Sequence, residues 1–297
     1  TDSFLTTTNL LNVGRQISLL GIMAVGMTFV LISGEIDLSV GSTYALGGLG
    51  TGMLIISGWP LAPALGVGLL LGMGVGLIAG LLSTYGRLPS LIATLGLMSV
   101  IRGTALLMTD GQPVTVNLRN GADPAVLERF LALGQGRIFD LVPMQLVFFA
   151  GVALVGWVLL ARTGFGFRVY AVGGSPKAAR VSGIHVETAK ITAFVIMGFL
   201  AAMAGILSMA FLPSGQAGRT GLGLELDVIA AVVVGGASLA GGSGSILGTV
   251  LGVLIIGVLR NGLVLSGVSP FTQEVMIGLV IIVAVAIDRW SVRTSRS

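Results

Sequence analysis

Four stretches of this chain carry no charged side chain at all, and they limit what it can become. No Asp, Glu, Lys or Arg occurs between Asp37 and Arg87, between Asp140 and Arg162, between Lys190 and Arg219, or between Asp227 and Arg260. Each stretch is long enough for one or two spans of about 20 residues, the length that crosses a bilayer core. A helix on a soluble core keeps one polar face, and these stretches have none. Only 9% of the 297 residues are charged, against about a quarter in soluble domains. The expected fold class is an all-α integral membrane protein: a polytopic helical bundle forming a single domain over 1–297.

Spans are expected at about 17–33, 42–57, 61–82, 90–108, 142–160, 191–212, 227–241, 246–265 and 271–287. Loop charge then sets orientation, because Lys and Arg stay on the cytoplasmic side. Segment 161–190 has five basic residues against one acid, and the tail after 287 has three arginines against one Asp. Segment 109–141 has four acids and three arginines. The first two are expected in the cytoplasm, and 109–141 and residue 1 outside. An outside start without a signal peptide, on a chain that begins with Thr, leads to the expectation of a missing first span. That gives nine spans here of ten in the full protein. Spans two to five and seven to ten would then form inverted-repeat halves, as in transporter folds.

Glycine is the second signal. Gly68, Gly72, Gly76 and Gly80 recur every fourth residue, so one helical stripe has no side chains. Hydrophobicity does not drive helices together in lipid, whereas small residues at this spacing let backbones approach closely. Gly48 with Gly52, and Gly248 with Gly252, repeat the device. The run IAAVVVGGASLAGGSGSILG at 229–248 is too interrupted for an ordinary span. Irregular backbone at membrane depth is tolerated only inside protein or along a cavity. A broken helix near a translocation path is expected there, with Gly235 and Gly236 at the break.

Three groups of polar residues stand out. Glu35 and Asp37 lie in SGEIDLSVGS, and Glu225 and Asp227 repeat the spacing in GLELDVIAAV. Acids at membrane depth mark a pathway, while acids at a span end are simply solvated; both readings stand. Segment 172–190 carries a short-helix signature. Ser175 suits an N-cap, Pro176 the first turn and Gly183 a left-handed C′ position. Lys177 and Arg180, three apart, share a helix face. A capped helix outside the membrane suits docking to a cytoplasmic partner through Gly174, Ser175, Pro176, Lys177, Arg180, Gly183 and Ile184. In the outer loop, Gln112, Asn117, Arg119 and Asn120 suit contact with an external protein or a polar solute, and equally an ordinary surface loop.

Other chemistries lack their residues. The chain has no cysteine, and its one histidine, His185, has no metal-ligand neighbours, so no metal site is expected. The glycine run at 241–244 lacks the lysine of a phosphate-binding loop. Basic residues at span ends account for the high pI without nucleic acid. Catalysis by this chain is not expected.

The same segments resemble a known family, the ribose/xylose/arabinose-type permeases of ATP-binding-cassette (ABC) importers. The likeness lies in residues 9–42, 91–114, 171–186 and 221–263, with IDLSVGS at 36–42 the most telling piece. It implies a ten-span permease in a bacterial inner membrane, paired with a second permease copy as a homodimer or heterodimer. It also implies cytoplasmic ATPase subunits holding ATP and Mg, with no cofactor on this chain, and a periplasmic sugar-binding protein. The 175–184 helix would then couple to the ATPase. The rival expectation is a secondary transporter that moves protons through the two acid pairs.

Overall fold

The computed structural model describes residues 5–269, 271–273, 275–279 and 282–283. Residue 1, the basic tail after 287 and part of the expected span 271–287 lie outside the described residues.

Two helices of 26 residues, α1 (Thr7–Ile32) and α9 (Val186–Phe211), form the axis of the bundle. Phe29, Met23 and Met27 of α1 and Phe194 and Met197 of α9 are fully buried in one apolar cluster. On one flank of α9, α3 (Leu61–Thr84) applies its glycine stripe. A Cβ on Gly72 would strike the Gly198 carbonyl oxygen, one on Gly76 that of Phe194, and one on Gly80 would lie 2.8 Å from Ile191 Cα. On the other flank α2 (Val40–Ile56) sets Gly48 against Gly205 and Gly52 against Met209, so it runs parallel to α9. The glycines therefore pack helix on helix.

The remaining long helices enclose this centre. α11 (Ile246–Leu265) runs antiparallel to α1, held by Thr28 Oγ1 to Thr249 Oγ1 at 2.6 Å and by reciprocal amide bonds between Asn9 and Asn261 at 3.0 and 2.9 Å. α10 (Leu224–Val234) packs on α11, Gly235 against Gly248 and Gly252 against Ala231. α4 (Ser90–Thr109), α6 (Met144–Arg162) and α11 present exposed Leu, Ile and Val such as Leu95, Leu154 and Ile255.

Among the described residues six helices are long and apolar enough to cross a membrane: Asn9–Ile32, Leu61–Thr84, Ser90–Thr109, Met144–Arg162, Val186–Phe211 and Ile246–Leu265. The helix expected at 42–57 is present as α2, apolar and 17 residues long. One expected span is corrected. The span expected at 227–241 is the 11-residue α10, which ends where Gly235 and Gly236 break the ladder.

α2 is short because the chain before it, 33–39, is not helical. Its backbone is satisfied from outside: Ile36 N–H donates to Ser90 Oγ (3.2 Å) and Leu38 N–H to Thr94 Oγ1 (3.0 Å), both on α4. Hydroxyls thus replace the missing helical bonds, the condition for irregular backbone at membrane depth.

The two ends of the bundle differ. At one, the expected outer loop 109–141 is a folded cap. β1 (Val114–Thr115) pairs antiparallel with β4 (Ser214–Gly215), and β2 (Arg137–Ile138) with β3 (Val142–Pro143). Between them α5 (Pro124–Gln135) buries Phe130 and sets Gly134 against Ala210 and Phe211. The opposite end carries α7 (Gly164–Gly174) and α8 (Pro176–Val181).

Candidate functional site

α8 is capped at both ends by its own sequence. Ser175 Oγ accepts from Ala178 N–H (3.3 Å), and Pro176 opens the first turn. Gly183, at φ +79°, lets its N–H reach Arg180 O (3.1 Å) and Ile184 N–H reach Ala179 O (3.0 Å). The helix is Pro176–Val181, shorter than the expected 175–184, because Ser182 already leaves helical geometry. Ala179 faces inward onto Val172, Val186 and Ala189, while Lys177, Ala178 and Val181 face out, Val181 at 91% exposure. Arg180 does not join Lys177 as a free cation, since it forms an ion pair with Glu187 of α9. The pair is largely exposed and so contributes little to stability.

Three backbone segments meet at the end of α7, just before α8. Gly173 lies against Ile32 O and Gly242 N, and Gly242 N–H donates to Ile32 O at 2.8 Å. A Cβ on Gly241 would lie 2.8 Å from Gly34 Cα. Tyr170 Oη donates to Gly244 O (2.7 Å), and partial burial raises its phenol pKa, which keeps it a donor. The α7–α8 hairpin is thereby joined to the end of α1 and to the 235–245 loop that leads out of α10. Gly174 is exposed.

Three of the four acids singled out in the sequence are held by a direct partner. Glu35 pairs with Lys190 of α9. Asp37 Oδ1 accepts from Ser39 N–H (2.8 Å) and Oγ–H (2.6 Å), closing the turn into α2. Asp227 pairs with Arg260 at 2.9 Å. Glu225 has a buried Oε2 without a hydrogen-bond partner, but it feels the charge of Arg102. Arg102 lies on α4 and donates to Ala217 O (2.9 Å) and Thr220 O (2.7 Å). These carbonyls belong to segment 213–223, which leaves the end of α9 and folds back into the bundle. At its return Gly221 touches Gly41, each so close that a Cβ would strike the other's carbonyl oxygen. The first turn of α2 and the stretch just before α10 thus meet backbone to backbone. Gly235 packs against Gly248, while Gly236, at φ +88°, has open space beside it.

In the cap, Gln112 and Arg119 are exposed, but Asn117 is engaged. Its Oδ1 accepts from Asn120 N–H (2.9 Å) and starts the single 3-10 turn Leu118–Asn120. Among the described residues no group of three or more His, Cys, Asp or Glu could hold a metal ion.

A family model described as the permease component of branched-chain amino acid transport systems matches residues 9–285. The chain belongs to this family of membrane permeases. The ribose import permease protein RbsC of Bacillus subtilis (strain 168) is 44% identical over 287 residues, covering 97% of this chain and 86% of that protein. RbsC of Escherichia coli (strain K12) is 42% identical over 286 residues, 96% of this chain and 87% of that protein. The L-arabinose transport system permease protein AraH of Escherichia coli (strain K12) is 38% identical over 295 residues, 99% of this chain and 87% of that protein. No solved structure matches.

The permease is a multi-pass, non-catalytic membrane component of an ABC import system, which works with an ATPase and a solute-binding protein. The rival secondary-transporter expectation fails on that membership, and three of the four acids it required, Glu35, Asp37 and Asp227, are engaged. Sequence reasoning about the permease missed Arg102 and the hydroxyls of Ser90 and Thr94. Arg102 left a legible signal, being the single charge within 91–109; an ionisable residue inside a span is a site by default. Ser90 and Thr94 left none, because nothing local shows that they serve another helix.

Proposed function

We propose that the permease imports a monosaccharide or related small polar solute, and that α8 is the element an ATPase subunit grips. The sugar class rests on the RbsC and AraH names, which describe ribose and L-arabinose transport in those proteins. The observation that carries the coupling role is the doubly capped α8, which follows α7, where Gly173 abuts the end of α1 and Tyr170 bonds to the loop after α10. A short helix with fixed ends moves as a rigid body, so a push on its exposed Pro176, Lys177 and Val181 passes to α1 and α10. Gly174, Ser175, Gly183 and Ile184 hold its ends, and Arg180 braces it against α9.

In this reading 161–190 faces the cytoplasm and 109–141 the periplasm, where exposed Gln112 and Arg119 meet the binding protein and Asn117 shapes the turn that presents them. Two permease copies, two ATPases carrying ATP and Mg, and one binding protein complete the importer. Its spans are arranged as inverted repeats, an idea supported by α2 and α10: each follows a non-helical stretch, and they run in opposite directions. Glu35, Asp37, Glu225, Asp227, Gly235 and Gly236 then act as structural pins and joints along the moving elements rather than as solute ligands.

The test is a reconstituted system of permease, ATPase and binding protein. Arg180→Glu places two acids together, and Gly183→Val forces a β-branched residue to positive φ, costing about 1–2 kcal/mol at the cap. Both variants should insert normally yet uncouple hydrolysis from uptake. Wild-type hydrolysis and uptake in both would remove α8 from the coupling path. Uptake that needs no ATPase would sink the importer reading itself.

A further inference from the structure

We propose that the permease binds its solute in a hydroxyl-lined cavity between α2, α9 and the folded-back segment 213–223, with Tyr44 as the orienting residue. The inference rests on the reading above, that the cargo is a small neutral polyol, and it assigns the place where that cargo is held. The cavity has a volume of about 340 Å³, within the usual range for small-molecule sites of about 300–1,000 Å³. Four hydroxyl-bearing residues line it: Tyr44 from α2, Ser208 from α9, and Ser214 and Thr220 from 213–223. Leu49 and Met209 supply apolar wall.

That mixture suits one chemistry. A hydroxyl both donates and accepts, so a ring of hydroxyls can pair with sugar hydroxyls in several orientations. The apolar wall takes the C–H face of the ring, and no fixed charge has to be stripped of a counterion. The competing cavities fit less well. One of about 430 Å³ between α1, α6 and α9 is lined by apolar residues and glycine alone. Another contains the Asp227–Arg260 ion pair.

Tyr44 holds the central place. It is only 7% exposed, and it shares the cavity wall with Ser208. It lines both the hydroxyl cavity and the neighbouring one that contains Asp227 and Arg260. Tyr44 and Leu224 are the residues the two cavities share. The rim beside it is fixed from behind, because Arg102 holds the carbonyls of Ala217 and Thr220. A solute resting on Tyr44 thus lies at the contact of the two broken segments, where Gly221 meets Gly41.

The absence of cysteine makes the test clean. In the reconstituted importer, Ser208→Cys would be modified with a charged methanethiosulfonate reagent, with Leu107→Cys, 85% exposed on α4, as control. Uptake of radiolabelled D-ribose and L-arabinose is compared before and after modification. The expected result is that modified Ser208→Cys falls to the background of empty vesicles while binding-protein-stimulated hydrolysis continues, and modified Leu107→Cys is unaffected. Tyr44→Phe, which keeps the ring, should lower uptake about three- to tenfold, the loss of roughly one hydrogen bond. The proposal is overturned if Ser208→Cys does not react from either side, if its modified form transports like the unmodified one, or if Tyr44→Phe transports like wild type. ATPase-independent uptake would instead refute the importer reading, and the labelling result would still say whether this cavity is on the path.

Discussion

Glycine serves two opposite purposes in the α3–α9 seam and in the 235–245 loop. In the seam, Gly68, Gly72, Gly76 and Gly80 lie in regular helix, and each missing side chain is replaced by atoms of a neighbouring helix. In the loop, Gly236, Gly241, Gly242 and Gly244 have φ of +88°, +85°, +77° and +148°, which ordinary residues rarely adopt. One region needs glycine for closeness, the other for backbone freedom. The difference assigns mechanical roles. A seam of continuous backbone contact moves as one piece, whereas a loop of non-repeating dihedrals between α10 and α11, touching the α7–α8 hairpin, is where a rotation is absorbed.

The largest effect should come from breaking the seam. Gly76→Leu drives a side chain into the Phe194 carbonyl and toward Val195 Cα. Overpacking typically costs 1–3 kcal/mol, and a rigid backbone neighbour places this variant at about 3 kcal/mol or more. The neighbouring Leu77 is 43% exposed, so Leu77→Ala should change stability little. Thermal unfolding in detergent measures both, and equal midpoints for Gly76→Leu and wild type would end the rigid-seam argument.

A substitution in the joint should cost less stability and more function. Gly242→Val imposes positive φ on a β-branched residue, about 1–2 kcal/mol, and sets its Cβ 2.9 Å from Gly174 Cα. Moderate destabilisation is expected, with ATP-driven uptake reduced far more than binding-protein-stimulated hydrolysis. If uptake instead falls only in proportion to folded protein, the loop is a connector and not a joint.

The seam was legible from sequence because its signal is periodic: four glycines at helical spacing can face only one way, and they face α9, with α2 closest at Gly68. The caps of α8 were legible for the same reason, since Ser175, Pro176 and Gly183 act within a few residues of themselves. Interactions between distant residues were not. Nothing in GLELDVIAAV shows that Asp227 pairs with Arg260, and nothing near Thr94 shows that its hydroxyl takes the N–H of Leu38, 56 residues earlier. Those pairings depend on how the helices stack. The folded cap at 109–141 was missed similarly, because β1 finds its partner only across the bundle at β4.

The smallest effect, and the sharpest, is a change of sign within α3 itself. Gly74 lies two residues from Gly76, on the opposite side of the helix, with nothing within 4 Å of the place its Cβ would occupy. It gains nothing from closeness and, being helical, needs no positive φ. All that remains is the conformational freedom glycine loses on folding, worth about 0.5–1 kcal/mol relative to Ala in a helix interior. Gly74→Ala should therefore raise the thermal midpoint slightly, while Gly76→Ala, whose Cβ meets the Phe194 carbonyl, should lower it. Residue type and helix are the same in both, so only what stands opposite can separate them. A fall in both would mean that the Gly74 face of α3 is covered by another chain in the assembled importer, and a rise in both would remove the seam as an explanation for the stripe.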